Sequence, residues 1–324
     1  MKLLITGGAG YIGSVLAEAC LQAGHEVTVY DNLSTGHRQA VPPQAKLVAG
    51  DVGDADLVLK ALRYSGAEAV VHMAGYIEAG ESMADPGKYF RNNDCRPLEL
   101  LEAMAVAGVS RIIFSSTAAI YGNPQSDFIN EDHPLQPANC YGQTKLFFEQ
   151  MLDWYDEIYG IKHAALRYFN AAGATPEHGE EHHPESHLVP LVLQAALGRR
   201  PHVEIYGCDY PTPDGTCIRD YIHVADLVEA HLIALERLRD ENLHYNLGNG
   251  RGYSVREVIE AARRVTGSDI KVKESGRRAG DPARLVASSA RISAELGWRP
   301  KHPQLEEIIA SAWEWRRRHP NGYG

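Results

Sequence analysis

Tyr141 and Lys145 form the pair of side chains in this sequence that is best suited to chemistry. Pro137 and Asn139 predict that a helix begins just before the pair, and a spacing of four residues places both side chains on one face of that helix. A tyrosine is a poor base at neutral pH because its reference pKa is about 10, but a neighbouring cation favours the phenolate. A phenolate can take a hydroxyl proton while hydride leaves the same carbon. The pair therefore indicates redox chemistry at an alcohol.

A run of hydroxyl side chains, Ser115, Ser116 and Thr117, ends the apolar segment RIIFSST, which we interpret as a buried strand. The Thr117 hydroxyl is suited to hydrogen-bond the reacting oxygen and to relay or steady its proton. A tyrosine and a lysine at helical spacing are by themselves more often an exposed pair than a catalytic one. Their occurrence with this strand and with a glycine loop leads us to predict catalytic roles for Tyr141, Lys145 and Thr117.

The glycine loop follows the first predicted strand, with Gly7, Gly10 and Gly13 in a G-x-x-G-x-x-G pattern. The first glycine permits a tight turn, the second lets the backbone approach a pyrophosphate, and the third allows close helix packing. The second predicted strand ends at Asp31, whose carboxylate can accept both hydroxyls of a ribose and would repel a 2′-phosphate. The sequence therefore predicts NAD as the cofactor, against the alternative of an ordinary strand-to-helix turn.

Short β-rich segments alternate with helical patterns in the first half of the chain, from KLLIT to HAALRYFN. This alternation predicts an α/β fold with a Rossmann-type, doubly wound parallel sheet, whose ligands bind beyond the carboxyl ends of the strands. After about residue 170 the chain changes to loops rich in proline, histidine and glycine with shorter helices. We predict an NAD-binding Rossmann domain at residues 1–170 and a smaller C-terminal α/β substrate-binding domain at 171–324. The segment 214–243 is a candidate for returning to the first domain.

The composition suits a folded globular protein, with 324 residues of which 44% are hydrophobic and 23% are charged. The formal net charge of −10 argues against binding to nucleic acid or to an anionic membrane, and an anionic substrate would need locally placed arginines. The five cysteines are scattered without C-x-x-C spacing, so neither disulfides nor a zinc cluster is indicated. We recognise no signal peptide or membrane span and expect a cytoplasmic protein.

The sequence resembles the extended short-chain dehydrogenase/reductase family and, within that family, the UDP-galactose 4-epimerases. The resemblance runs from end to end. It lies in the segments GGAGYIG, YDN, Asn92-Asn93, FSSTAAIYG, YGQTK, LRYFNAAGA, DGTCIRDYIHVADL, YNLGNG, RRAGDPARLVASS and ELGW. The Y-x-x-x-K pattern is shared by the whole superfamily, whereas the segments after residue 165 are more specific to nucleotide-sugar epimerases.

The resemblance implies that UDP-glucose and UDP-galactose are interconverted by NAD-dependent oxidation at sugar carbon 4, rotation of the 4-keto sugar and re-reduction, with NAD staying bound. It also implies roles for the residues at matching positions. The implied NAD-binding residues are Gly7, Gly10, Tyr11, Ile12, Gly13, Asp31, Asn32, Asp51, Val52, Met73, Ala74, Gly75, Asn92, Ser115, Tyr141, Lys145 and Tyr168. The implied substrate-binding residues are Thr117, Tyr141, Asn170, Leu188, Tyr206, Arg219, Arg278 and Asp281.

Two of the implied substrate residues, Arg219 and Arg278, also fit the chemistry of a diphosphate, because guanidinium groups bind such anions with paired hydrogen bonds. Asp281 is suited to accept the hydroxyls of the uridine ribose. Without the resemblance, Arg278 would be interpreted as part of a solvated basic run beside Arg277.

Three positions depart from patterns in the family. His187 stands where some members have asparagine, Ile77 where some have a lysine that contacts the cofactor, and Leu285 at the position that resembles the gate of the hexose pocket. A bulky aromatic gate would exclude an N-acetyl group and a very small one would admit it. Leucine is intermediate, so the use of UDP-N-acetylhexosamines is left open.

Other functions on the same fold remain as alternatives. Sugar-nucleotide dehydratases typically carry an acid pair directly after the strand hydroxyl, whereas Ala118 and Ala119 stand here and cannot protonate a leaving hydroxyl. A uronate epimerase or decarboxylase would need a carboxylate-binding cation that the sequence does not identify. A non-catalytic NAD-binding protein is a minor alternative, because such proteins usually lose the tyrosine and the lysine.

The segment 178–187 is rich in histidine and glutamate and could be interpreted as a metal site. We interpret it as a solvated loop and predict no metal, because it lacks a helical His-Glu-x-x-His arrangement and contains Pro184. The apolar residues that follow Lys145 first indicate core packing. Together with a helix at Arg96–Ala107 they could also form an interface, and the resemblance leads us to expect a homodimer.

Overall fold

A parallel sheet organises the chain in the computed structural model, which describes residues 1–278 and 280–324. Within these ranges the strands are β1 (Lys2–Thr6), β2 (Glu26–Asp31), β3 (Lys46–Ala49), β4 (Ala69–His72), β5 (Arg111–Thr117), β6 (Lys162–Tyr168), β7 (Asn170–Ala172), β8 (Val203–Tyr206), β9 (Ile218–His223), β10 (Leu243–Leu247), β11 (Gly252–Ser254), β12 (Val272–Ser275) and β13 (Arg284–Leu285). One sheet takes seven of these described strands in the order β10-β6-β5-β4-β1-β2-β3, with every neighbouring pair parallel. A parallel sheet has to be covered on both faces.

Helices provide that cover. They are α1 (Tyr11–Gln22), α2 (Ala55–Ser65), α3 (Ala79–Ala84), α4 (Pro86–Phe90), α5 (Arg96–Ala107), α6 (Cys140–Tyr159), α7 (Leu188–Ala196), α8 (Val224–Arg237), α9 (Val255–Thr266), α10 (Ala290–Leu296) and α11 (Leu305–Arg318). One face of the sheet buries a core against α1 and α8, and the other buries a core against α2, α5 and α6. This confirms the predicted Rossmann-type, doubly wound α/β fold. Of the helices in the described part of the chain, none is long and apolar enough to cross a membrane.

The remaining strands form a smaller lobe after β6. β9 pairs with β7, β11 and β13, while β8 pairs with β12. α7, α9 and α11 pack around a separate apolar core in this lobe. The chain re-enters the large sheet through α8, which packs against α1, and through β10, which pairs with β6. The domain boundary near residue 170, with a return at about 214–243, stays a prediction.

Candidate active site

The glycine loop joins β1 to α1 at the carboxyl edge of the sheet, and two of its positions require glycine. Gly7 has a φ of +70°, and a Cβ atom on it would lie 2.6 Å from the backbone nitrogen of Ala74. A Cβ atom on Gly13 would lie 2.2 Å from the carbonyl oxygen of Gly7. α1 begins directly after Gly10, and among the described residues no side chain caps its first amides. These amides therefore fit the pyrophosphate of a dinucleotide.

Asp31 ends β2 beside this loop and is held by two backbone amides. Its Oδ2 accepts a hydrogen bond from the Ala9 amide at 3.0 Å, and its Oδ1 accepts one from the Leu33 amide at 2.8 Å. Burial raises the pKa of Asp31, and the two amides partly oppose this rise. Each oxygen keeps a free lone pair, so the carboxylate can also accept from two ribose hydroxyls, as an NAD site requires.

The three predicted catalytic side chains meet where α6 packs on β5. Asn139 caps α6 as the sequence predicts, since its side chain accepts a hydrogen bond from a first-turn amide at 2.8 Å. Lys145 is only 4% exposed, and its Nζ donates to the Ser115 carbonyl at 2.8 Å. The same Nζ lies 6.0 Å from the centre of the Tyr141 ring. Thr117 is buried at the end of β5 with its side chain facing the Tyr141 phenol.

In the protein alone, the neighbouring Lys145 does not make the phenolate the favoured form of Tyr141. Burial raises the pKa of Tyr141 to about 12, and the Thr117 side chain only partly opposes this rise. Burial also lowers the pKa of Lys145 to about 8, against the attraction of Asp94 and Glu149. Because burial outweighs the chain's own charges, a further positive charge beside Tyr141 is needed to stabilise the phenolate, and an oxidised nicotinamide carries one.

The other predicted cofactor residues lie mostly at the carboxyl ends of neighbouring strands. Asn32 and Asp51 follow β2 and β3 and are joined by a 2.9 Å hydrogen bond. Tyr168 ends β6, and its hydroxyl lies 3.7 Å from the Met73 sulfur after β4. Tyr11 donates its hydroxyl at 2.6 Å to a carbonyl that follows β7, so this group is engaged by the smaller lobe. The remaining predicted cofactor residues are Ile12 in α1, Asn92 before α5, and Val52, Ala74, Gly75 and Ser115 near strand ends.

A π-helical turn before α5, Arg91–Cys95, places two further residues at the site that the sequence analysis did not assign. Asn93 is buried and bonds both the amide and the carbonyl of Tyr76, at 2.9 and 3.0 Å, which fixes the segment after β4. Asp94 interacts with Lys145, and burial raises its pKa to about 7. The family resemblance includes the pair Asn92-Asn93, but the sequence does not show which of the two points inward.

A buried ion pair ties α6 to the sheet. Glu149, one turn after Lys145, accepts two hydrogen bonds from Arg167 of β6, at 3.1 and 2.7 Å. It also accepts one from the Ser116 hydroxyl of β5. Both charged side chains are at most 5% exposed. The ion pair therefore fixes the helix that carries Tyr141 against β6, and the Ser116 hydrogen bond fixes it against β5, the strand that carries Thr117.

We expect Glu149→Gln to lower the free energy of unfolding by about 3–5 kcal/mol, because it leaves the buried Arg167 without its counter-charge. Urea unfolding followed by circular dichroism measures this change. Glu314→Gln is the control, since it removes the same charge from an exposed pair with Arg318 and should cost less than about 1 kcal/mol. Equal losses in the two variants would contradict the role of the buried pair.

The predicted substrate residues form two contacting pairs in the smaller lobe. Arg219 of β9 donates to the Asp281 carboxylate at 3.3 Å. The Arg278 guanidinium lies 3.9 Å from the centre of the Tyr206 ring, at the end of β8. Each of the two arginines thus contacts another predicted substrate residue, so Arg278 is not an isolated surface charge. The other two are Asn170, the first residue of β7, and Leu188, the first residue of α7.

Elements of the smaller lobe contact segments that lie near Tyr141. A Cβ atom on Gly280, in the loop of the predicted substrate residues, would lie 3.4 Å from the Ala138 carbonyl just before α6. Ser186, just before α7, donates to the carboxylate of Glu78, and that carboxylate acts on the pKa of Tyr141. These contacts place elements of the smaller lobe beside the reactive phenol.

Leu285, at the position resembling the gate, is half-buried in β13. It packs against a small apolar cluster that includes Ala118 and Tyr121. Ala118 belongs to the 3₁₀ turn that directly follows Thr117. Leu285 therefore packs against the cluster that contains residues of the turn after the reactive strand.

The segment 178–187 is not the solvated loop predicted from the sequence, and that prediction is wrong. His178 and Glu180 are each 6% exposed. The C-terminal part of the chain covers them, because Arg316 donates to the Glu180 carbonyl at 2.6 Å and the Tyr323 hydroxyl accepts from a neighbouring amide at 3.0 Å. His178 and His182 belong to packed structure, whereas the His183 side chain is 75% exposed.

Fold and site together define the class of protein. A family model described as the NAD dependent epimerase/dehydratase family matches residues 3–248, and the chain belongs to this family.

Within the family the chain is similar to UDP-glucose 4-epimerases. The UDP-glucose 4-epimerase of Lacticaseibacillus casei is 47% identical, covering 100% of this chain and 99% of that protein. A crystal structure of UDP-glucose 4-epimerase from Brucella ovis in complex with NAD superposes with a TM-score of 0.92 at 45% identity, covering 96% of this chain and 97% of that one. A structure from Bifidobacterium longum in complex with NAD⁺ and UDP has a TM-score of 0.96 at 36% identity, with coverage of 99% and 100%. The predicted family resemblance is confirmed.

Proposed function

We propose that this protein interconverts UDP-glucose and UDP-galactose by NAD-dependent oxidation and re-reduction at carbon 4 of the sugar. The observation that carries the proposal is the position of Tyr141 and Lys145, on the inward face of α6 beside Thr117 and at the same sheet edge as the glycine loop. Full-length similarity to UDP-glucose 4-epimerases supports the same substrates.

The residues of α6 and β5 divide the proton chemistry between them. Tyr141 takes the proton of the sugar 4-hydroxyl as hydride leaves carbon 4, and it returns a proton in the reverse step. Thr117 hydrogen-bonds the same oxygen and steadies this transfer. Lys145, anchored on the Ser115 carbonyl, adds positive charge and is placed to hold the nicotinamide ribose. The cofactor, when bound, supplies a hydride acceptor that is regenerated within each turnover.

Inversion at carbon 4 requires the 4-keto sugar to present its other face before it is reduced. The site therefore has to hold the UDP part firmly and the sugar loosely. Arg219 and Arg278 supply guanidinium groups for the diphosphate, and Asp281 supplies a carboxylate for the uridine ribose. On a chain with a net charge of −10, these arginines concentrate positive charge where an anionic substrate needs it.

We expect Arg278→Met to raise the KM for UDP-galactose at least about tenfold, because the variant keeps packing on Tyr206 but loses charged hydrogen bonds to the diphosphate. Arg277→Met is the matched control, since Arg277 is paired with Asp209 at 2.7 Å and stacked on Tyr210 at 4.2 Å. Steady-state kinetics of both variants measure the effect. Similar increases in KM would contradict a role specific to Arg278.

The reaction itself is tested by incubating purified protein with UDP-galactose, without added NAD, and following UDP-glucose formation by chromatography. We expect conversion, because the cofactor is regenerated in every turnover and stays bound. No conversion after NAD has been supplied would contradict the proposal and favour uronic-acid or deoxysugar nucleotides. Adding UDP-N-acetylgalactosamine as a competitor determines whether the pocket at Leu285 admits an N-acetyl group.

We also propose that two copies of the chain pair through α5 and α6. Phe147, Trp154 and Ile158 lie on one face of α6 and are 42%, 62% and 65% exposed. Leu98 and Val106 of α5 are exposed as well. Exposed apolar side chains of this kind are more stable when they are covered by a second apolar surface than when they are covered by water.

Trp154→Glu is expected to convert the dimer to a monomer at micromolar protein concentration, because it places a charge in the apolar face. Sedimentation velocity measures the oligomeric state. Tyr64→Glu is the control, since it changes a side chain of α2 that is 68% exposed and lies outside this face. A dimer of unchanged stability in Trp154→Glu would contradict the proposed interface.

We also propose a cellular location and a domain organisation for the protein. We place the protein in the cytoplasm, supported by its five free cysteines, because reduced thiols persist in that compartment. We place the cofactor in residues 1–170 and the UDP-sugar mainly in 171–324. The return of α8 and β10 to the large sheet supports a discontinuous second domain.

A further inference from the structure

Four side chains of the segment 178–187, which precedes α7, converge on one point outside the reactive centre. Glu180, His182, Glu185 and His187 each direct one possible ligand atom into a cluster in which all of these atoms lie within 4.8 Å of one another. His182 Nδ1 lies 3.4 Å from Glu180 Oε1 and 3.8 Å from Glu185 Oε2. His187 Nδ1 contacts Glu180 Oε1 directly.

The two carboxylates of this cluster are buried, and one of their oxygens lacks a partner. The side chains of Glu180 and Glu185 are 5% and 6% exposed. Glu185 Oε1 accepts hydrogen bonds from the amides of Ser186 and His187, both at 2.9 Å, and these bonds direct Oε2 towards His182. Among the described residues, neither Glu185 Oε2 nor His182 Nδ1 has a hydrogen-bond partner. Two buried carboxylates need positive charge beside them, which either a bound cation or protonated imidazoles can supply.

We propose that Glu180, His182, Glu185 and His187 bind one zinc ion. Zinc prefers four nitrogen, oxygen or sulfur ligands in a tetrahedron, and bonds of about 2.0–2.1 Å separate neighbouring ligand atoms by about 3.3 Å. The separations of 3.4 and 3.8 Å come close to this value, whereas His187 Nδ1 and Glu180 Oε1, which are in direct contact, would move apart on binding the ion. Magnesium and calcium prefer ligand sets made of oxygen alone, so the two imidazoles select a transition metal.

The surroundings of the cluster indicate a structural role for the ion. Tyr11, the first residue of α1, has its ring edge-on to His182 at 6.5 Å. Arg316 of α11 donates to the Glu180 carbonyl at 2.6 Å. His187 directly precedes α7, whose first residue is the predicted substrate residue Leu188. The ion would therefore fix the segment that joins the start of the dinucleotide helix, the C-terminal helix and the substrate lobe. It takes no part in the proton and hydride transfers.

Zinc content distinguishes this site from a network of protonated histidines and carboxylates, which would need no metal. Purified protein is loaded with zinc, dialysed against metal-free buffer and analysed by mass spectrometry, and its affinity is measured against a chromophoric chelator. We expect about one zinc per chain, and at least about a tenfold loss of affinity in His182→Asn and Glu185→Gln. His183→Asn is the matched control, because this imidazole lies in the same segment but its side chain is 75% exposed and outside the cluster, so its zinc content should stay normal.

A wild-type protein that retains no more zinc than His182→Asn would overturn the proposal, as would equal losses in all three variants. The absorption spectrum of bound Co²⁺ provides a second test, which does not depend on whether the variants fold. Wild-type protein loaded with Co²⁺ should show the strong visible absorption of a tetrahedral centre, and only the weak bands of hydrated cobalt would contradict the site. None of these measurements uses UDP-sugar turnover, so the zinc site and the proposed epimerase activity can fail separately.

Discussion

Replacing Tyr141 by phenylalanine is expected to lower kcat by a factor of about 10²–10⁴, because the variant keeps the ring but loses the oxygen that takes the sugar proton. Tyr141 is half-buried, and burial raises the pKa of its phenol to about 12. Thr117 lies beside it, but an aliphatic hydroxyl is a much weaker base and cannot replace it. Conversion of UDP-galactose at saturating concentration measures the change.

Tyr159→Phe is the matched control, because it removes a hydroxyl from the exposed C-terminal end of the same helix. Its kcat should stay within about twofold of the wild type, as expected for a surface substitution away from the site. NAD released on denaturation should be unchanged in both variants, since the glycine loop and Asp31 are untouched. A wild-type kcat in Tyr141→Phe would exclude Tyr141 as the base, and a loss of NAD with little change in kcat would assign it a binding role instead.

The parts of this site that depend on local backbone geometry could be predicted from the sequence. The glycine spacing specifies a turn that a Cβ atom at Gly7 or Gly13 would block, and the structure shows both conflicts. Asn139 is a preferred capping residue, and it caps α6 at the predicted place. The alternation of strand and helix patterns predicts the doubly wound sheet, because apolar residues repeat with a different period in strands than in helices.

The parts that depend on distant contacts could not be predicted in the same way. The pKa of Tyr141 depends on how deeply the folded chain buries the phenol, and the sequence shows only that Lys145 is near. The segment 178–187 looks exposed from its composition, yet Arg316, which covers it, follows 136 residues after Glu180. Arg167 directly follows the apolar run 164–166 of β6, which does signal a buried partner. The sequence does not show that this partner is Glu149.

Gly13→Ala is expected to reduce the fraction of chains that carry NAD at least about tenfold. A methyl group at this position would lie 2.2 Å from the Gly7 carbonyl oxygen and 2.8 Å from the Gly8 Cα, which are backbone atoms that cannot rotate away. α1 then has to move off the loop, and its first amides lose the position that binds the pyrophosphate. NAD released from denatured protein, divided by chain concentration, measures the fraction.

Gly80→Ala separates this effect from a general cost of placing alanine at a glycine. Gly80 is exposed in α3, and a Cβ atom there would meet no described atom within 4 Å. The change should leave the NAD content intact and stabilise the protein by up to about 1 kcal/mol, because alanine favours the helix. If Gly13→Ala retains NAD as Gly80→Ala does, the close approach of α1 to the loop is not needed to hold the cofactor. If Gly13→Ala loses NAD and unfolds at a temperature that excess NAD does not raise, the loop has lost the binding site itself.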